Sequence, residues 1–73
     1  MVSEFNSMNR LKAVLKEQGR TQKWFASHMN RTENTISLWT TNKVQPSLED
    51  LYRAARLLDI DVRDLLEGNL DIS

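Results

Sequence analysis

Apolar positions recur along this chain at three- and four-residue intervals, and the clearest stretch is residues 21–39, TQKWFASHMNRTENTISLW. Behind Thr21, a good N-cap, Phe25, Ala26 and Met29 fall at i, i+1 and i+4, which places them on one face of a helix. His28 to Arg31 carries a turn, and Asn30 is the residue there best able to take the left-handed backbone that ends a helix. Thr32 then caps a second helix, with Glu33 and Asn34 in its first turn and Ile36 and Trp39 three apart on one side. Its outer face, Thr32, Glu33, Asn34, Thr35, Ser37 and Leu38, is small, polar and rich in hydrogen-bonding groups, which suits the donors, acceptors and methyls of a DNA major groove. A polar outer face is also what any solvent-facing helix shows, and helix pairs of this length are common in small all-helical proteins, so the flanks must decide.

Upstream, residues 1–6 have only Val2 and Phe5 to pack and are expected to be a flexible N-terminal segment. A helix is expected from about Ser7, capped by Ser7 or Asn6, with Met8, Leu11, Val14, Leu15 and Gln18 along one side and Gly19 as its stop. Downstream, residues 40–45 are too polar for a core and read as a loop closed by Pro46. Ser47 caps a further helix with Asp50 three residues on, a capping-box spacing, and Leu48, Leu51, Ala54, Ala55 and Leu58 form its apolar stripe. Asp61, with Asp64 three on, caps a last short helix over 62–67, where Leu65 and Leu66 turn inward and Gly68 ends it, leaving 68–73 as a C-terminal tail. Five helices with short connections and no strand signal predict a compact all-α domain over residues 7–67.

At 73 residues the chain is one small domain, with total stability on the order of 5 kcal/mol expected for a core of this size. It has no cysteine, so neither a disulfide framework nor a thiolate metal site is available. The longest apolar run is far short of a bilayer span and the N-terminus lacks a signal-peptide pattern, so no membrane association and a cytoplasmic location are expected. Net charge is zero, but it is divided: residues 1–46 carry seven cations against three anions, and residues 47–73 three cations against seven anions. The N-terminal half, which holds the helix pair, is suited to facing a polyanion while the acidic half points away.

Catalytic chemistry finds little purchase. The lone His28 has no neighbours at a spacing that builds a metal site or a triad, and there is no phosphate-cradling glycine loop and no nucleophile with its base. No enzyme activity, cofactor or metal is expected. Trp24, beside Phe25 in sequence, either lies as a half-buried cover over the first helix or presents its ring to a partner.

Taken together, Leu11 and Val14, Gly19, Thr21, Gln22, Phe25, Ala26, Met29, Thr32, Thr35, Ile36, Ser37, Trp39, Lys43, the run Pro46, Ser47, Leu48, and Leu65 with Leu66 form a series at fixed spacing. That series resembles the Cro and lambda-repressor type of helix-turn-helix domain, the Xre family, over about residues 8–67. The resemblance implies a five-helix lambda-repressor-like fold in which the helix over residues 32–40 enters the major groove. Base-reading would then fall to Glu33, Asn34 and Leu38, with Thr32, Thr35 and Ser37 as near neighbours. By their chemistry Asn34 suits adenine, Glu33 the cytosine amino group, and Leu38 the thymine methyl. The resemblance places phosphate contacts at Gln22 and at Thr41, Asn42 and Lys43, with Lys23 adding charge. It also implies a transcriptional regulator acting as a homodimer on double-stranded DNA, with half-sites about one helical turn apart.

Departures from the family pattern are local. Asn30 replaces a usual glycine, Arg20 and Arg31 replace aliphatics and are expected to add cations near the DNA face, and Thr40 replaces a frequent acid. Glu33 repels phosphate and lowers the expected affinity for non-specific DNA. The same fold serves in antitoxins and other protein-interaction modules, so a protein partner docking on the acidic half, including Leu70 and Ile72, is the alternative expectation.

Overall fold

A computed structural model describes residues 8–67. The expectations of a flexible segment over 1–6, a cap at Ser7 or Asn6, a stop at Gly68 and a tail with Leu70 and Ile72 fall outside the described residues. Four helices follow one another: α1 (Leu11–Glu17), α2 (Gln22–Met29), α3 (Glu33–Thr40) and α4 (Leu48–Leu58). The expected fifth helix is a single 3-10 turn, Val62–Leu65. There the Asp61 carboxylate accepts from the Arg63 N–H, and the Asp64 N–H bonds the Asp61 carbonyl three residues back, the tighter hydrogen-bond pattern of a 3-10 turn. Bonds from the Arg63 side chain and backbone also hold the Asp61 carboxyl below the ordinary carboxylate range.

The first helix starts later than its apolar spacing predicts, at Leu11. The reason is that residues 8–10 use their backbone groups to tie the two ends of the domain together. Asn9 forms an isolated antiparallel bridge with Leu66, the Arg10 N–H bonds the Leu65 carbonyl at 2.8 Å, and the Glu67 N–H bonds that of Met8 at 3.2 Å. Met8 is therefore exposed rather than part of the apolar stripe. Gln18 is exposed too, though its side chain donates to the Leu58 carbonyl.

All four helices end by one device. Gly19, Asn30, Asn42 and Asp59 have φ between 59° and 70°, and the residue after each donates its N–H to the carbonyl five positions earlier: Arg20 to Leu15, Arg31 to Ala26, Lys43 to Leu38 and Ile60 to Ala55. This is the bonding of a Schellman motif, which asparagine and aspartate accept at modest strain where glycine accepts it freely.

The core is built from Leu11, Val14 and Leu15 of α1, Phe25, Ala26 and Met29 of α2, Ile36 and Trp39 of α3, Ala54, Ala55 and Leu58 of α4, and Leu65. Three expected core positions in the last two elements differ. Leu48 is 68% exposed, and Leu51 and Leu66 are only half-buried. Thr40, read from its polarity as loop, is instead the buried last residue of α3, where its hydroxyl donates to the Ser37 carbonyl. Asp50 is buried as well, and the capping box at Ser47 is only half made. Ser47 Oγ accepts from the Asp50 N–H, but the Asp50 carboxylate turns to Arg31 at 2.8 Å and Arg53 at 3.8 Å. No helix among the described residues is long and apolar enough to cross a membrane.

Candidate nucleic-acid interface

The helix pair is set by caps at both starts and by shared core side chains. Thr21 Oγ1 accepts from the Trp24 N–H at 3.0 Å, and Thr32 Oγ1 accepts from the Thr35 N–H at 3.1 Å, so each threonine satisfies an amide that has no partner within its own helix. α2 runs through Met29, which puts His28 in its last turn and leaves Asn30, Arg31 and Thr32 as the connection. Phe25, Ala26 and Met29 pack with Ile36 and Trp39, so α3 cannot rotate without opening the core.

That packing leaves a defined face outward. Thr32, Glu33, Asn34 and Ser37 are exposed, and Thr35 and Leu38 are half-exposed beside them. Among the described residues the side chains of Glu33, Asn34 and Ser37 make no hydrogen bond or ion pair. Thr32 and Thr35 are joined through their hydroxyls at 3.1 Å. The face therefore presents an amide, a carboxylate, hydroxyls and an aliphatic side chain, with the amide and the carboxylate free of internal partners.

The flanking residues divide into free and committed groups. Lys23 in α2 and Lys43 after α3 are exposed, with no acid within ion-pair distance among the described residues, and Gln22 opens α2 half-buried. Thr41 is exposed, but its hydroxyl donates to the Ser37 carbonyl at 2.8 Å. Asn42 is engaged through both ends of its amide. Its Oδ1 accepts from the Met8 N–H (3.0 Å), the Asn9 N–H (2.9 Å) and Gln45 Nε2 (3.0 Å), while its Nδ2 donates to the Asn9 carbonyl (3.2 Å). The Asn42 side chain thus ties residues 8 and 9 to the loop that carries Lys43, and one of its two amide hydrogens has no acceptor among the described residues.

Asn9 is the residue that sequence reasoning missed. It is 4% exposed, its Nδ2 donates to the Trp39 carbonyl (3.0 Å) and to Gln45 Oε1 (2.9 Å), and its Oδ1 accepts from the Leu11 N–H (2.9 Å). One amide thereby caps α1 and ties the end of α3 to the loop that follows. Its only signal in the sequence is an asparagine two residues ahead of Leu11, displaced from the expected cap.

The two arginines at departures from the family pattern are not free cations. Arg31 pairs with buried Asp50, and the Arg20 guanidinium lies 4.2 Å from the centre of the Trp24 ring. Trp24 is half-buried against the core, and the His28 ring sits 4.5 Å from it with Nδ1 donating to the Trp24 carbonyl, which requires the proton on that nitrogen. Trp24 is thus a cover for α2, and His28 an exposed part of the same stack. Among the described residues no group of three His, Cys, Asp or Glu side chains is placed to hold a metal ion.

A helix-turn-helix family model, HTH_3, matches residues 11–65. No curated protein matches the chain. A crystal structure of a Bacteroides fragilis protein provisionally described as DNA-binding is 50% identical, covers 82% of this chain and 97% of its own, and superposes with a TM-score of 0.81. The solution structure of the SOS-response transcriptional repressor LexA from Eubacterium rectale, at 22% identity, covers 88% of this chain and 69% of its own with a TM-score of 0.73, which shows a shared fold. The match over most of the described residues, carried by the same capped helix pair, makes this chain a member of the HTH_3 helix-turn-helix family, the Cro and lambda-repressor (Xre) type.

Proposed function

We propose that the protein is a sequence-specific double-stranded DNA-binding regulator of transcription, of prokaryotic or phage type, reading the major groove with α3 as a homodimer. The observation that carries this is the outward face of α3, fixed by its packing in the core, on which Glu33 and Asn34 have no internal partner among the described residues, with Lys23 of α2 and Lys43 after α3 exposed and likewise unpaired there. Rigid placement is what base recognition needs, because a bidentate contact tolerates little misalignment. In this reading Asn34, Glu33 and Leu38 meet base edges, Thr32, Thr35 and Ser37 line the contact, and Gln22, Lys23, Thr41 and Lys43 hold phosphates. Asn42 braces the loop that carries Lys43 and has one amide hydrogen left for a phosphate. The DNA-binding description of the Bacteroides fragilis relative supports the same reading.

The test is the salt dependence of binding to a preferred duplex. Each phosphate contact adds about 0.9 to the slope of log affinity against log salt, so Lys43→Ala should lower the slope by about that amount and weaken all sequences alike. An unchanged slope would remove Lys43 from the interface.

A further inference from the structure

The connection between α2 and α3 is held from α4 through one carboxylate. Asp50, in the first turn of α4, has a side chain only 9% exposed, and its Oδ1 lies 2.8 Å from Arg31 Nη2 and 3.8 Å from Arg53 Nη1. Arg53 in turn donates to the carbonyl of Met29, the last residue of α2, at 3.3 Å. Arg31 directly precedes Thr32, the N-cap of α3. The three side chains therefore brace both ends of the connection against α4. Burying a carboxylate removes its hydration, and two half-exposed arginines offset that only in part, so the group is a weak device for stability. It is a good device for orientation. The apolar contacts of Ile36 and Trp39 hold α3 in the core but are non-directional, whereas a charge-assisted hydrogen bond also fixes an angle.

We infer that Asp50 is a positioning residue for base recognition: by holding Arg31 and Arg53 it fixes the start of α3, and with it the angle at which Glu33 and Asn34 meet the bases. The inference rests on the proposed reading of DNA by α3. Glu33 and Asn34 stand two and three residues beyond Arg31, so a displaced connection moves them first, and Leu38, beyond the buried Ile36, least. A bidentate contact to a base tolerates little misalignment, so a loosened start of α3 lowers specificity before it unfolds the domain. The same carboxylate keeps Arg31 engaged inside the protein, where it adds nothing to the attraction for phosphates of any sequence.

Two measurements on the full chain test this, the first without DNA. In native-state hydrogen exchange, Arg31→Met and Asp50→Ala should each speed exchange at the amides of Thr35 and Ile36, which bond the Thr32 hydroxyl and carbonyl, by about tenfold relative to the amides of α1. In competition binding, each should lower the preference for the selected duplex over an unrelated one by about tenfold. Asp50→Ala, which frees two guanidinium groups, should not weaken binding to the unrelated duplex. The double variant should be no worse than either single one, because both remove the same brace, and Asp50→Ala should cost less than about twofold once Asn34 is alanine. Arg31→Lys, which keeps a cation for Asp50, should retain most of the preference. Arg31 is exposed, so its two variants keep the fold and carry the test even where Asp50→Ala melts early. Unchanged exchange at Thr35 and Ile36, additive losses at residues 31 and 50, or an Arg31→Met variant that weakens all duplexes alike with a lower salt slope would overturn the inference, the last by making Arg31 a phosphate contact. A parent that prefers no sequence would sink the DNA reading and the recognition role with it, and the exchange rates would still show whether the brace fixes α3.

Discussion

Replacing Asn9 with alanine is expected to destabilise the domain by about 2–3 kcal/mol, measured by urea unfolding followed by circular dichroism. Three side-chain hydrogen bonds are lost at once, to the Trp39 carbonyl, to Gln45 Oε1 and from the Leu11 N–H. The Leu11 residue is fully buried, so its amide has no access to water after the change, and the orphaned donor adds a desolvation penalty to the lost bond. Against a total stability on the order of 5 kcal/mol the loss is large, and the melting temperature should fall by about 10–20 °C. Asn9→Asp keeps the acceptor for Leu11 but buries a carboxylate whose second oxygen faces the Trp39 carbonyl, so at neutral pH it should be at least as destabilising as alanine. An alanine variant as stable as the parent would mean that the network joining α1, the end of α3 and the following loop contributes nothing.

Replacing Asn34 with alanine should leave folding intact and act on recognition alone. The side chain is exposed and makes no hydrogen bond among the described residues, so no internal contact is lost. If it forms a bidentate pair with an adenine, its removal should weaken binding to the preferred duplex by about 1–3 kcal/mol, roughly 5- to 150-fold, and relax base preference at one position. Affinity for unrelated duplexes should hardly change. That outcome differs in kind from the uniform weakening expected of Lys43→Ala, and identical behaviour of the two variants would refute the division between base-reading and phosphate-holding residues.

Much of this molecule is legible in its sequence because the dominant signals are local. Thr21, Thr32 and Ser47 cap helices as their positions predict, since an N-cap is decided by residues within one turn. Phe25, Ala26, Met29, Ile36 and Trp39 are buried as their spacing requires. What escaped depends on distant contacts. Nothing near Asn9 reveals that its amide meets Trp39 and Gln45 some 30 and 36 positions away. Asp50 has the spacing of a capping-box acid, but the side chain of Arg31, brought in by the fold, competes successfully for its carboxylate. Leu48 falls on the apolar stripe of its helix by spacing but stands at the start of α4, exposed beyond the reach of the core. The stops at Asn42 and Asp59 were missed for a different reason: glycine announces a left-handed residue, whereas asparagine and aspartate adopt that backbone only where the fold demands it.

Within the candidate interface, the outward face of α3 follows from the helix period, but the commitments of its neighbours do not. Arg20 and Arg31 read as added positive charge near DNA, and the fold turns one onto Trp24 and the other onto Asp50. Lys23 and Lys43, on and just after the helix pair, are exposed and in no ion pair among the described residues, as are Lys12 and Lys16 of α1, which line a cleft with Thr40, Thr41 and Asn42.

The most direct measurement is selection of bound sequences from a random duplex pool at near-physiological salt, because it reads specificity and symmetry together. We expect enrichment of an inverted repeat whose half-sites are about one helical turn apart. Enrichment of no sequence by a protein whose circular dichroism shows intact helices would contradict recognition of DNA through α3.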